Sequence, residues 1–157
     1  MRWSDLHVLD EKFKKNPFPF IFQSILAALF LSITFILIWT INPVVVAGIG
    51  STTFILFALP NNRSNTPRNI IGGHTLAMGI GVACSYIPIG VAAGGVAVGF
   101  AILIMTATDT EHPPAASTAL GIAVEEFNTE LLLFVVVATT LLVVFQRLIR
   151  KYLIDLV

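Results

Sequence analysis

The sequence predicts an all-α protein of the cell membrane, a polytopic transmembrane helix bundle of about six segments, some of them discontinuous because proline or glycine interrupts the helix. Three observations predict this fold. The chain is 56% hydrophobic and only 11% charged, whereas soluble domains average about 25% charged residues. Its mean hydropathy is +0.89. Apolar runs follow one another along the chain, separated by prolines and short polar stretches that end helices.

The composition excludes several other classes of protein. Nine basic and nine acidic residues balance, so no nucleic-acid partner is expected. The single cysteine, Cys84, lies in an apolar run and offers neither an internal disulfide nor a cysteine metal cluster. We do not expect the N-terminus to be a cleavable signal, because acidic residues mix with basic ones and the first apolar run is too long.

Two regions follow from this composition. Residues 1–16 are predicted to form a cytoplasmic or interfacial segment, in which Trp3, Leu6 and Phe13 have the spacing of an interfacial helix. A frayed tail is the alternative. Residues 17–157 are predicted to form one transmembrane domain.

The apolar runs give the membrane segments in order. The first contains 22 residues without a charge, about 33 Å of helix, which is enough to cross a bilayer. Asn42-Pro43 ends it, a polar loop separates the second run from the third, and Pro88 separates the third from the fourth. The runs cover 20–41, 44–59, 70–87, 89–107 and 131–148, the polar loop covers 60–69, and a short helix from about Pro113 to Val124 completes the set.

Basic residues predict the orientation, since cytoplasmic loops are enriched in lysine and arginine. If all six segments cross, every basic cluster falls on the cytoplasmic side and the glutamate cluster falls outside. We therefore expect both termini in the cytoplasm. The residues of the basic clusters are Lys12, Lys14, Lys15, Arg63, Arg68, Arg147, Arg150 and Lys151, and those of the glutamate cluster are Glu125, Glu126 and Glu130.

Small residues spaced four apart predict close helix packing in lipid. Gly90 and Gly94 have this spacing, as do Gly95 and Gly99. A helical domain of this size exposes much surface to lipid, so the sequence also predicts a homo-oligomer, a dimer or a trimer.

One polar stretch, residues 108–120, interrupts the apolar sequence late in the chain. Proline fits the first turn of a helix but not its middle, so Pro113-Pro114 predicts a break before His112 and a helix after it. The first turn of that helix has free N–H groups and the positive end of the dipole, which favours an anion. His112, Pro113 and Ala115 are therefore candidate substrate-binding residues, with a histidine that only caps local backbone as the alternative.

A second break is possible at Gly50, within the second apolar run. It would turn the N–H groups of Ser51, Thr52 and Thr53 toward the same cavity as His112, as in a discontinuous-helix site at the middle of the membrane. The alternative is that these hydroxyls bond back to their own helix, which is the commoner case.

Three further residues are candidates for substrate binding. His74, at the start of the third run, forms a second wall of the cavity or is satisfied by a backbone carbonyl. Arg68 and Asn69 come just before that helix, and the planar fork of arginine suits oxyanions. A cytoplasmic arginine that only fixes orientation is the alternative for Arg68 and the preferred reading for Arg63.

Asp109 and Glu111 lie beside His112, and three interpretations compete. They cap the helix, they couple protons with His112, or they form a cation site. Carboxylates repel anions, so an anion site here requires that one is protonated or salt-bridged. We assign Asp109 and Glu111 to proton coupling.

Two motifs resemble the signatures of the HPP family of integral membrane proteins. They are Pro67-Arg68-Asn69-Ile70-Ile71-Gly72-Gly73-His74 and His112-Pro113-Pro114-Ala115. Gly50-Ser51, followed by an apolar run and Pro60, resembles an earlier segment of the family, and the order matches from about residue 20 to 150. Ala116-Ser117 stands where Gly-Ala is more usual. The resemblance implies nitrite transport, with which plastid and cyanobacterial members are associated, and a family description of four spans rather than six.

The sequence thus predicts a transporter or channel for a small inorganic anion, with nitrite as the named candidate because of the resemblance. It predicts no enzyme activity, no cofactor and no resident metal, and its partners are the anion and the lipid bilayer. Two alternatives stay open. One is a proton- or cation-conducting protein that uses Asp109 and Glu111, and the other is a metal-dependent membrane enzyme with His74 and His112 among its ligands.

Overall fold

The computed structural model describes residues 9–37, 42–125 and 128–157. This part of the chain contains helices and loops and no strand, which confirms the predicted all-α bundle. The helices are α1 (Glu11–Lys15), α2 (Phe18–Leu37), α3 (Pro43–Ala58), α4 (Pro67–Cys84), α5 (Gly90–Ala107), α6 (Ala115–Val124) and α7 (Thr129–Ile149), with short 3-10 turns at Arg63–Asn65 and Arg150–Tyr152.

Three of these helices are long and apolar enough to cross a membrane. They cover Phe18–Ile36, Gly90–Ala107 and Thr129–Tyr152, with mean hydropathies of 2.0, 2.0 and 2.4. Helices α3 and α6 are apolar but shorter. The protein is therefore a helical membrane protein, as its composition predicts.

Helix α4 begins earlier than the sequence interpretation had it. Thr66 is the N-cap, and its hydroxyl accepts a hydrogen bond from the N–H of Asn69, while Pro67 occupies the first turn. Arg68 and Asn69 therefore lie in the first turn of α4, and the prediction that they belong to the preceding loop is wrong.

Helix α3 is continuous, so the break considered possible at Gly50 does not occur, and the alternative of hydroxyls that bond back to their own helix holds for Thr52 and Thr53. The helix runs from Pro43 to Ala58 through both of its glycines. The hydroxyls of Thr52 and Thr53 lie 3.0 and 2.9 Å from the carbonyls one turn back. The discontinuity that the structure does contain is the α5–α6 loop, residues 108–114.

Helices α2 to α7 run alternately up and down the bundle. Near the start of α2, Gln23 donates to the carbonyls of Phe57, late in α3, and Ile154, near the end of the chain. Arg63 and Arg68, in the α3–α4 connection and the start of α4, both pair with a carboxylate in the α5–α6 loop. These parts of the chain meet at one end of the bundle, which we call the arginine end.

The start of α3, the start of α5 and the end of α6 lie at the opposite end of the bundle. The side chain of Asn42, before α3, donates to the carbonyl of Gly121, late in α6, at 3.3 Å. A Cβ at Gly90, the first residue of α5, would lie 3.9 Å from the carbonyl oxygen of Val124. Both described ends of the chain lie at the arginine end, where Gln23, near the start of α2, meets Ile154. Which side of the membrane that end faces stays a prediction.

Helix α6 is the centre of the bundle and is packed closely by α3, α4 and α5. Glycines on the neighbouring helices permit this approach. A Cβ at Gly81 of α4 would lie 2.8 Å from the Cβ of Ile122, and one at Gly48 of α3 would lie 3.0 Å from the Cβ of Ser117. The small residues of α4 thus serve packing within the chain.

The outward glycines of α5 behave differently. A Cβ at Gly95 or Gly99 would meet nothing within 4 Å, because both face away from the bundle. The homo-oligomer expected from this spacing stays a prediction.

Some sequence-based expectations lie outside the described residues. These concern Trp3 and Leu6 in the N-terminal segment, residues 38–41 at the end of the first span, and Glu126 in the glutamate cluster. The described remainder of the N-terminal segment holds α1, capped by Asp10.

Candidate functional site

The α5–α6 loop carries His112 into the bundle at the arginine end. Helix α5 ends where the N–H of Thr110 donates to the carbonyl of Met105 at 2.9 Å. Asp109 has a φ of 55°, in the left-handed region that aspartate tolerates better than most residues. This turn directs the rest of the loop back across α4, where a Cβ at Gly72 would lie 3.0 Å from the Cγ2 atom of Thr110.

His112 and His74 meet inside the bundle and share one hydroxyl. The Oγ1 atom of Thr52 lies 3.0 Å from Nε2 of His112 and 3.1 Å from Nε2 of His74. The ring centroids are 5.2 Å apart. All three side chains are buried, with relative exposures of 0 or 1%. The sequence prediction that the two histidines and Thr52 face one site is consistent with this geometry.

The outer nitrogens of both rings are also bonded. Nδ1 of His112 lies 2.9 Å from the carbonyl oxygen of Ser64, in the α3–α4 connection. Nδ1 of His74 lies 2.9 Å from the hydroxyl of Thr118 in α6. We call Thr52, His74, His112 and Thr118 the histidine cluster. It joins α3, α4, α6 and the loop before α6.

Neither histidine is the local helix cap that the sequence allowed as an alternative. His112 bonds a carbonyl 48 positions earlier in the chain. His74 lies well inside α4, which begins at Pro67, and its partners are two hydroxyls rather than a carbonyl.

The first turn of α6 does not offer free N–H groups, so that prediction is wrong. The N–H groups of Ala115, Ala116 and Ser117 donate to the carbonyls three residues earlier, at 2.8, 3.1 and 3.2 Å. Pro113 and Pro114 have no N–H at all. Backbone donors at this helix start are therefore already used, and the donors available to a ligand are side chains.

The carboxylates of the loop pair with arginine rather than with His112. Asp109 forms ion pairs with Arg63 and, at 3.5 Å, with Arg68. Glu111 lies 3.9 Å from Arg63. All four side chains are solvent-exposed, so these pairs are screened. Arg63, interpreted from the sequence as an orientation signal, therefore also neutralises the loop.

Asn69 and Arg68 hold the loop through its backbone. The side chain of Asn69 donates to the carbonyl of Glu111 at 3.0 Å, and the guanidinium of Arg68 donates to the carbonyl of Thr108 at 2.9 Å. Both candidates therefore position the segment that carries His112.

A cavity of about 350 Å³ opens at the arginine end beside the cluster. Ser64, whose carbonyl bonds His112, is part of its wall, as is Pro113, one residue after His112. We call it the arginine-end cavity, and its lining is Ile55, Leu59, Asn62, Arg63, Ser64, Glu111 and Pro113.

The remaining candidates are placed apart from the cluster. Ser51 is exposed on α3, and the hydroxyl of Thr53 bonds the carbonyl of Ile49 in its own helix. Two participants were missed from the sequence. Thr118 carries a weak signal, a hydroxyl in an otherwise apolar helix, whereas Ser64 acts through its backbone and carries none.

The described residues hold no group of side chains that could ligate a metal ion. Across residues 9–37, 42–125 and 128–157, no three His, Cys, Asp or Glu side chains converge on a point that a metal ion could occupy.

Comparison with known proteins gives one match. The family model described as HPP, transmembrane region, matches residues 14–154, which is nearly the whole chain. No curated protein and no solved structure matches.

Proposed function

As this chain belongs to the family of HPP transmembrane proteins, we propose that it is a transporter or channel for a small inorganic anion, with nitrite as the first candidate. The observation that carries the proposal is the buried histidine cluster. Ionisable side chains are rare inside membrane bundles and mark ligand pathways there. Nitrite is named because HPP members in plastids and cyanobacteria are associated with its transport.

The proposed pathway starts in the arginine-end cavity. Arg63 lines it and Arg68 lies nearby, so two guanidinium groups can offer an entering anion their planar sets of hydrogen-bond donors. Asp109 is paired with both arginines, which reduces its repulsion of an entering anion.

The proposed binding step is an exchange of acceptors at His112. Nδ1–H of His112 donates to the carbonyl of Ser64, which is a wall residue of the cavity. An anion that enters the cavity replaces this carbonyl as the acceptor when the short 3-10 turn at Arg63–Asn65 moves aside. A charge-assisted hydrogen bond replaces a neutral one, which favours the exchange.

The alternative of a cation or proton conductor based on Asp109 and Glu111 is less well supported. Both carboxylates face arginine, and a cation would have to displace a guanidinium to reach them. We also propose, from the basic residues gathered at the arginine end, that this end and both termini are cytoplasmic. Reporter fusions at the two termini test it, and opposite compartments would refute it.

A matched pair of substitutions tests the function. In proteoliposomes, His112→Gln keeps a polar atom near Nε2 but removes the Nδ1 donor, whereas His112→Asn keeps a donor near Nδ1. Nitrite uptake at subsaturating concentration should fall roughly ten- to hundredfold in His112→Gln and much less in His112→Asn. Thermal unfolding in detergent checks that both variants fold. Equal uptake by wild type and His112→Gln would refute the site, and uptake no faster than in protein-free vesicles would refute the function.

A further inference from the structure

The hydroxyl of Thr52 has three hydrogen-bonding partners and one hydrogen. Its oxygen lies 3.0 Å from the carbonyl oxygen of Gly48, 3.1 Å from Nε2 of His74 and 3.0 Å from Nε2 of His112. A hydroxyl donates one hydrogen bond and accepts up to two. The carbonyl of Gly48 can only accept. If Thr52 donates to it, both imidazoles must donate to Thr52.

The outer nitrogens then fix the number of protons. The carbonyl of Ser64 only accepts, so Nδ1 of His112 carries a hydrogen. A His112 that also donates from Nε2 is an imidazolium. His74 can stay neutral, because its Nδ1 can accept from the hydroxyl of Thr118.

The contacts of the cluster are therefore all satisfied only when it holds one extra proton. In the neutral cluster, Thr52 donates to Nε2 of His112, and its contact with the carbonyl of Gly48 has no hydrogen. Addition of a proton to Nε2 of His112 turns the Thr52 hydroxyl toward Gly48. Thr52 is thus a switch between two hydrogen-bonding arrangements at fixed heavy-atom positions.

We propose that Thr52, His74 and His112 form a proton-binding site that takes up one proton with each anion, so that the protein is a proton-coupled anion transporter. This inference rests on the proposed function. A lone imidazolium in an apolar interior costs free energy, and an anion bound to Nδ1–H of His112 cancels its charge. Each ligand therefore favours the other. The proton comes from solvent in the arginine-end cavity and returns to solvent when the anion leaves.

The other charged groups around the site do not compete with this cluster for the coupled proton. Helices α2, α3, α5 and α6 carry no charged side chain. The charged or titratable groups on the other elements packed around the site are Arg68 and Cys84 on α4, Glu130 and Arg147 in the end turns of α7, and Arg63, Asp109 and Glu111 at the arginine end. The loop carboxylates, first assigned to proton coupling, are exposed and paired with arginine.

Calorimetry of nitrite binding to the full chain in detergent tests the proposal. Titrations in two buffers of different ionisation enthalpy give the number of protons taken up per anion. We expect close to one for the wild type, and an affinity that rises roughly tenfold for each unit that the pH falls. Thr52→Val removes the hydroxyl without changing the shape of the side chain. We expect proton uptake by this variant to fall to near zero and its affinity for nitrite to fall by about tenfold.

Thr53→Val is the matched control, because the hydroxyl of Thr53 is buried but bonds only its own helix. It should take up as many protons as the wild type. Nitrite binding by the wild type without proton uptake would overturn the coupling and leave the proposed function intact. Full proton uptake by Thr52→Val would also overturn the coupling, whereas no nitrite binding by the wild type would refute both.

Nitrogen NMR of protein with labelled histidine reports which imidazole nitrogens carry a hydrogen, already in the protein without anion. The substitution His7→Gln simplifies the assignment. We expect a hydrogen on Nδ1 of His112 and on Nε2 of His74, and conversion of His112 to imidazolium when nitrite is added. The opposite tautomers in the anion-free protein would overturn the proposed hydrogen-bond order.

Discussion

Gly73 of α4 lies directly against His112. A Cβ at residue 73 would stand 2.8 Å from the Cβ of His112 and 3.1 Å from the carbonyl oxygen of Thr110. Because real Cβ atoms do not come so close, the α5–α6 loop can lie on α4 only where α4 has no side chain. This contact brings the ring of His112 beside that of His74, one residue after Gly73.

Gly73→Ala should therefore destabilise the protein. Overpacking of this kind costs about 1–3 kcal/mol. Gly79→Ala in the same helix is the control, since a Cβ there meets nothing within 4 Å, and replacing glycine by alanine in a helix interior stabilises it by up to about 1 kcal/mol. Unfolding in one detergent should move the two midpoints in opposite directions. A shift of the same sign in both would contradict the packing argument.

Asp109→Asn should leave stability and proton coupling nearly unchanged. Exposed ion pairs contribute about 0–1 kcal/mol, and asparagine tolerates the positive φ of this residue. The sequence-based assignment of Asp109 to proton coupling predicts instead that transport loses its pH dependence. Nitrite uptake measured against pH decides between them. Asp109→Ala should be less stable than Asp109→Asn by about 1–2 kcal/mol, because alanine disfavours the left-handed region.

Asp155 should make the docking of the C-terminal segment sensitive to acid. Hydrogen bonds from the side chain of Asn61, at 2.8 Å, and from its backbone N–H, at 3.1 Å, lower the pKa of Asp155 below its ordinary value of 3.8. A carboxyl whose pKa is lower in the folded state stabilises that state above its unfolded pKa, and the contribution is lost as the pH falls through the folded pKa.

The measurement is the free energy of unfolding at pH values above and below 3.8, for the wild type and for each variant. Asp155→Asn should remove this part of the pH dependence, and Asn61→Ala should reduce it because one of the two hydrogen bonds remains possible. An acid response in Asp155→Asn equal to that of the wild type would exclude Asp155 as its source.

Gly95→Leu and Gly99→Leu test the predicted homo-oligomer. Both positions face open space within the chain, so leucine should not disturb the fold but should separate two α5 helices packed through this face. Mass measured in detergent and in nanodiscs should fall toward that of the monomer. Gly79→Leu, at an open position on α4, should keep the wild-type mass. A wild-type protein that is already monomeric would refute the prediction.

The helices and their order were predictable because their signals are local. Long apolar runs, and breaks such as Asn42-Pro43, are read from neighbouring positions, whereas the N-cap at Thr66 was not recognised and α4 was predicted to begin too late. The absence of a break at Gly50 has a physical reason. Glycine permits a break but does not impose one, and Gly48, one of the two glycines of α3, packs closely against α6 within the continuous helix.

The cluster was only partly predictable. His74 and His112 stood out because ionisable residues are rare in apolar sequence. The partners of these histidines depend on how α3, α4 and α6 approach one another, and no pattern near Ser64 or Thr118 reports that. The pairing of Arg63 with Asp109 joins residues 46 positions apart, so it too required the fold.

The contrast in helix length has a consequence for the bilayer. The three helices long enough to span, α2, α5 and α7, are largely uncovered by the rest of the chain, whereas α6, at the centre, has ten residues. Ten residues make about 15 Å, half the thickness of the hydrocarbon layer. The helices that meet the lipid tails thus match the thickness of the hydrocarbon layer, while α6 reaches across only about half of it. An anion bound at His112, as proposed, then has about half of the hydrocarbon thickness left to cross.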